Sequence, residues 1–165
     1  RRREFVERLR PVVADYYRTL SSDREQVELT YRSELNDRPF AEILAAARQK
    51  DLVNEFTTSG IHRDDLVLKI GGYPLRKYGS QGQQRSCAIA MKLGEASIIE
   101  KITGECPAVL LDDVMSELDE GRQKYILNYL NNWQVFITCC DPSQLLRSEK
   151  GKTFEVKGGR INELE

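Results

Sequence analysis

One histidine, one tryptophan, two methionines and four scattered cysteines leave this sequence poor in the residues that many functional classes need. Cys87, Cys106, Cys139 and Cys140 include no Cys-x-x-Cys pair, and only His62 could join them, so a zinc framework is not expected. Adjacent Cys139 and Cys140 lie in an apolar run and read as small packing residues, with a reducing cytoplasm as the expected compartment. No stretch approaches the roughly 18 apolar residues that span a bilayer, so no membrane partner is expected. Arg1-Arg2-Arg3-Glu4 has no apolar core behind it and is not a signal peptide. The chain opens without Met and in mid-helix pattern, and is expected to be a fragment whose N-terminal part is missing. An excess of one charge is also missing. With 25 basic and 26 acidic residues the net charge is -1, so any nucleic-acid surface must be local. Finally, there is no G-x-x-x-x-G-K-[ST] phosphate loop. Gly151-Lys152-Thr153 comes nearest, but Leu146 stands five positions before Gly151 and a strand pattern follows, so this segment reads as a turn.

What is present describes a globular chain. Its 165 residues, 40% hydrophobic and 31% charged, fit one domain or one lobe of a larger one. Phe5, Val6, Leu9, Val12, Val13, Tyr16, Tyr17 and Leu20 recur at helical spacing over residues 3–20, with Pro11 as an expected kink or break. Val27, Leu29 and Tyr31 alternate with polar neighbours, the period of a strand. Asn36-Asp37-Arg38-Pro39 reads as a turn before a helix through Phe40, Ile43, Leu44, Ala47 and Leu52. A loop over 57–64 precedes a strand at 66–70 and a Gly71-Gly72 hairpin turn. A helix over 83–101, apolar on most sides, reads as buried. Cys106–Leu111 and Gln134–Cys139 read as continuous apolar strands of a parallel sheet, with a helix over 120–131 between them, Tyr125, Ile126 and Leu130 inward. Trp133, after Asn131 and Asn132, is expected to pack at the turn from that helix into the second strand. Phe154–Lys157, Gly158-Gly159 and Arg160–Asn162 read as a closing hairpin.

Two stretches carry chemistry. In "AVLLDDVMSELDEGR", residues 108–122, an apolar strand runs into Asp112 and Asp113. That places two carboxylates at the carboxyl edge of a parallel sheet, where open α/β sheets bind ligands. One carboxylate suits Mg²⁺ and its waters; a second can polarise an attacking water. The plain alternative is a strand end whose aspartates cap a helix. In Ser80-Gln81-Gly82-Gln83-Gln84-Arg85, a Gly-containing turn opens a helix, exposing amide N–H groups and the positive end of the helix dipole, with Ser80 adding a hydroxyl. Here the plain alternative is Ser80 as an ordinary N-cap. His62 reads as a structural or nucleotide-proximal loop residue. The basic start Arg1–Arg3 with Arg8 and Arg10 reads as a solvated face or a DNA-phosphate contact.

The order of these parts, with "SQGQQR", "LLDDVMSELD" followed by Arg122, and "GIHRDDL" at 60–66, resembles the RecF family, which stands beside SMC and Rad50 heads. The resemblance implies an α/β fold: the second lobe of an ABC-type ATPase head, with a parallel-sheet core, flanking helices and a C-terminal hairpin, preceded by a helical arm segment. Residues 1–56 would be the arm and its return, and 57–165 the head lobe. It implies ATP and Mg²⁺ as cofactors. Asp112 would hold the metal and Asp113 would act on water. Ser80, Gln81, Gly82 and Gln83 of the signature motif, with Ser116 and Asp119 of the D-loop (Ser116-Glu117-Leu118-Asp119), would bind nucleotide. Ser80 and Gly82 would reach the ATP of a partner head, so that ATP joins two heads of the full-length protein as a homodimer. The implied role is DNA repair and recombination: binding DNA at single-stranded and double-stranded junctions and loading RecA with RecO and RecR. Another SMC- or Rad50-like head, or a DNA-binding module that has lost hydrolysis, are the competing readings. The sequence departs from the family pattern at Ile61, where proline is usual. Where other ABC heads carry a switch His, Ile137-Thr138-Cys139-Cys140-Asp141 has none.

Overall fold

The computed structural model describes residues 1–36, 38–115, 118–129, 133–140 and 151–164. Asp37, Ser116, Glu117, Leu130, Asn131, Asn132, Asp141 and Leu146, singled out above, lie outside the described residues. The chain forms two compact units, Arg1–Ile98 and Ile99–Glu165. The division expected at 56/57 falls inside the first.

The first unit opens with helix α1, Arg2–Leu20, which continues through Pro11 as one element and buries Val6, Leu9, Val13, Tyr16, Tyr17 and Leu20. Phe5, expected on that face, is exposed, because its position falls at the edge of the buried stripe. Strand β1, Val27–Arg32, pairs antiparallel along its whole length with β2, Asp65–Ile70. β2 turns into the short β3, Tyr73–Pro74, through Gly71 and Gly72. Both glycines have positive φ, 56° and 81°, the pair of left-handed residues that a tight hairpin of matching twist requires. Helix α2, Phe40–Asn54, starts after Pro39 and buries Ile43 and Ala47, whereas Leu44 and Leu52 are exposed.

Loop 57–64 is organised by polar contacts. The Thr58 N–H and hydroxyl both donate to Asp51 Oδ1, at 2.7 and 2.6 Å. These bonds hold the Asp51 carboxyl below its usual pKa. His62 Nε2 donates to the Thr57 carbonyl at 3.0 Å, which closes the loop on itself. Asp64 is buried and accepts from Tyr31 and from Arg2, and Arg2 also donates to the Ile61 carbonyl at 2.8 Å. Burial pushes the Asp64 pKa up, but hydrogen bonds from Ser33, Tyr31 and Arg2 outweigh it and leave the carboxyl below its usual range. Arg10 donates to the Leu29 carbonyl at 2.8 Å. Arg2 and Arg10 of the basic helix start thus tie α1 to the loop and to β1.

After the single turn α3, Leu75–Tyr78, comes the long helix α4, Gln81–Thr103. It buries Ser86, Cys87, Ile89, Ala90 and Leu93.

The second unit holds a parallel pair. β4, Val109–Asp112, runs alongside β5, Val135–Thr138, in the register Leu111↔Ile137 and Asp112↔Thr138. Between them lies helix α5, Glu120–Tyr129. The expected strand from Cys106 begins at Val109 because Pro107 has no N–H to give a ladder. The expected continuous burial is corrected as well: Leu111 is buried, but Leu110 and its partner Phe136, at 75% and 54% exposure, form an open apolar face. Among the described residues this sheet consists of β4 and β5. Cys139 is half-buried and Cys140 exposed, so Cys140 is not the packing residue expected. β6, Thr153–Lys157, and β7, Arg160–Leu164, form the closing hairpin. Lys152 pairs with Glu163 at 2.8 Å, just before the strand that Thr153 opens, so Gly151-Lys152-Thr153 precedes a strand rather than a phosphate-binding helix.

Candidate functional site

In the second unit the acid pair sits where β4 ends, both side chains exposed. Parallel pairing places Thr138 directly beside Asp112. The Thr138 hydroxyl donates to Asp112 Oδ1 at 2.5 Å, and the Asp113 N–H donates to both the Thr138 carbonyl and hydroxyl, at 3.2 and 3.0 Å. Asp113 adopts φ of 49°, left-handed backbone that a non-glycine residue rarely enters and that collects at functional sites. The chain therefore turns off the strand immediately after Asp112. The oxygen-only donor set fits Mg²⁺, which binds one or two carboxylates and completes its shell from waters and phosphate. Among the described residues no group of three or more His, Cys, Asp and Glu gathers as a metal cage.

Asp119, the D-loop candidate, is the cap of α5: its Oδ1 accepts the Arg122 N–H at 3.0 Å and its Oδ2 pairs with the Arg122 guanidinium at 3.0 Å. Ser116 lies outside the described residues, but its flanks are held. Gln123, buried on α5, donates from Nε2 to the Met115 and Leu118 carbonyls at 2.7 and 3.0 Å. Met115 and Leu118 are themselves buried.

In the first unit, Ser80 and Gln83 form a reciprocal capping box. Ser80 Oγ accepts the Gln83 N–H at 3.2 Å, and Gln83 Oε1 accepts the Ser80 N–H at 2.8 Å. This cap starts α4 two residues earlier than the apolar periodicity indicates and puts Gln81, Gly82 and Gln83 in its first turn. First-turn N–H groups have no intrahelical acceptor; here the Gln83 N–H is taken by Ser80 Oγ and the Gln84 N–H by the Ser80 carbonyl. Gly79, just before it, packs so tightly that a Cβ would stand 2.5 Å from the Leu75 side chain and 2.7 Å from its carbonyl. The capping role of Ser80 and an anion-facing role are compatible, since the cap itself fixes where the hydroxyl lies. Sequence reasoning missed Thr138 as the partner of the acid pair, Gln123 behind the D-loop, and Glu25, which accepts from Gln83. Only strand register ties Thr138 to Asp112.

A parallel strand pair ending in an acid pair, together with a capped Gly-containing turn opening a long buried helix, are parts of an ABC-type ATPase head. Consistent with that class, the chain matches a solved SMC ATPase structure with a TM-score of 0.59 at 13% identity, over 98% of this chain and 86% of that one. A solved structure of the recombination mediator protein RecF with ATP matches with a TM-score of 0.78 at 32% identity, over 99% of this chain and 45% of that one. The DNA replication and repair protein RecF of Agathobacter rectalis is 40% identical over 167 residues, 100% of this chain and 46% of its own length. That of Heliobacterium modesticaldum is 46% identical over 174 residues, 98% and 47%. The chain belongs to the RecF family and corresponds to the C-terminal portion of RecF. It spans about half the length of the curated relatives it matches. No family model matches it.

Proposed function

We propose that this chain is the signature and Walker B lobe of a RecF-type DNA repair ATPase, with residues 1–56 as arm and return and 57–165 as head lobe. The observation that carries this reading is the β4 edge: Asp112 fixed by Thr138, and Asp113 turned off the strand in left-handed backbone. Asp112 would hold Mg²⁺ on the ATP of its own head, and the ion would draw charge from the phosphates. Asp113 would orient and deprotonate the attacking water. Ser80, Gln81, Gly82 and Gln83, with Ser116 and Asp119, would contact nucleotide across a homodimer that ATP closes. A solved RecF relative described with ATP in the RecFOR pathway supports ATP as the ligand; RecO and RecR as partners, and the loading of RecA at DNA junctions, are part of the same proposal. A reducing cytoplasm, the proposed compartment, suits the free thiols at Cys87, Cys106, Cys139 and Cys140. Among the described residues no helix is long and apolar enough to cross a membrane.

The phosphate cradle is proposed to come from the other half of the RecF length. Titration calorimetry of this chain alone with Mg-ATP should show no micromolar binding and no hydrolysis. Joined to a relative's P-loop half, it should show both. Micromolar affinity in the chain alone would overturn this division of labour.

A further inference from the structure

Glu25 lies in the turn between α1 and β1, far in sequence from the capped turn at Ser80, yet the two are joined by an unbroken chain of hydrogen bonds. The buried Tyr17 of α1 donates its hydroxyl to Glu25 Oε2 at 2.6 Å. Glu25 Oε1 accepts from Gln83 Nε2 at 2.7 Å. The same Gln83 side chain accepts the Ser80 N–H through Oε1. Gln83 thus spends one end of its amide on Glu25 and the other on Ser80, which fixes both its rotamer and its amide orientation.

Glu25 is itself held from behind. The buried Ser21 hydroxyl accepts the Glu25 N–H at 3.4 Å and donates to the Arg18 and Glu25 carbonyls at 2.9 and 3.2 Å. Ser22 and Asp23 take left-handed φ of 55° and 59°, which folds the chain back so that Glu25 faces α4. The Glu25 charge is also felt by Cys87, one turn along α4 from Gln83, whose thiol is pushed up to about 12, by burial first and by Glu25 second. A half-buried carboxylate anchored at both ends is more than a helix cap needs: Ser80 and Gln83 satisfy the capping box between themselves.

We propose that Glu25 is a positioning residue for the signature turn, setting through Gln83 the place of the Ser80 hydroxyl and tying it to α1. The inference rests on the reading of Ser80 as a contact to the partner head's ATP. If α1 shifts or Glu25 loses its grip, Gln83 is released, the Ser80 N–H loses its acceptor, and the turn no longer presents one arrangement to a phosphate. Movement of α1 thereby reaches the nucleotide interface without any contact between α1 and nucleotide.

The test uses a full-length RecF carrying this segment, with sedimentation measured across protein concentration in Mg-ATP, ATP binding by the monomer, and thermal unfolding. Glu25→Leu should weaken the ATP-dependent dimer about tenfold, the scale of one hydrogen bond to a charged group. Monomer ATP binding should stay unchanged. Glu25→Gln keeps an oxygen for Gln83 Nε2 and should retain most of the dimer; a Gln variant as weak as Leu would overturn positioning by this bond. Ser80→Arg is the control. Normal dimerisation by Glu25→Leu with Ser80→Arg blocked would refute the role of Glu25 alone, whereas normal dimerisation by both would refute the signature reading beneath it. If Glu25→Leu folds poorly, Tyr17→Phe decides, since it removes only the hydroxyl: a few-fold weaker dimer supports the proposal and an unchanged dimer overturns it.

Discussion

Asp113→Asn, in a full-length RecF carrying this segment, should bind ATP and dimerise as the parent does and yet turn over ATP at least about a hundredfold more slowly, the scale of a lost general base. The substitution is clean for a structural reason. Two bonds at the turn come from the Asp113 backbone N–H to Thr138, and these do not depend on the side chain. Asparagine also tolerates the left-handed backbone at this position as well as aspartate does. Asp112 and the Thr138 hydroxyl that fixes it are untouched, so the metal position survives. What is lost is the capacity of one carboxylate to take a proton from water. Steady-state ATP hydrolysis, with sedimentation in Mg-ATP, checks both halves. Hydrolysis at the parent rate would reduce Asp113 to a turn residue.

Ser80→Arg should do the reverse. The mutant head should bind ATP almost normally and fail to dimerise with it, losing the ATP-dependent part of DNA binding. If Ser80 did nothing but cap α4, its loss would cost roughly 1 kcal/mol of stability and leave association unaffected. Arginine separates the two roles because its charge favours phosphate while its bulk fills the turn. Gly79 limits the room for adjustment, since the chain there already packs against Leu75 more closely than any side chain permits. Light scattering or ultracentrifugation with and without ATP is the measurement. An ATP-induced dimer of normal strength would end the assignment of this turn to the interface.

Much of this was legible in the sequence, for local reasons. Apolar runs ending in acid, double glycines between alternating segments, and a Ser-x-x-Gln step are short-range signals, and the strands, both hairpins and the capped turn follow from them. The errors share a different cause. Pro107 trimmed β4 because it has no N–H to give a ladder, which apolar content alone does not reveal. Leu110 was expected inside because hydrophobicity says only that a residue can be buried, whereas the packing of its unit decides whether it is. Thr138 and Glu25 escaped because each acts across a long sequence separation, and Gln123 because its amide reaches back from α5 to carbonyls five and eight residues before it with no motif to mark them. The register of β5 on β4, the packing of α5 on the D-loop flanks, and the return of the chain after α1 are tertiary facts with no local motif.

The claim at the centre of the account is that Asp113 of one head and Ser80 of the other serve the same nucleotide. Two variants of a full-length RecF carrying this segment, Asp113→Asn and Ser80→Arg, should each be inactive alone. Mixed in equal amounts, they can form a heterodimer in which the introduced arginine obstructs only one of the two interfaces, while the other holds an intact composite site: Asp113 from the Ser80→Arg head, and Ser80 from the Asp113→Asn head. The measurement is the ATP hydrolysis rate of the mixture against each variant alone. Hydrolysis should return on mixing, rising with the heterodimer fraction. A heterodimer seen by sedimentation in Mg-ATP yet as inactive as its components would put both residues on the nucleotide of their own head and contradict the shared site.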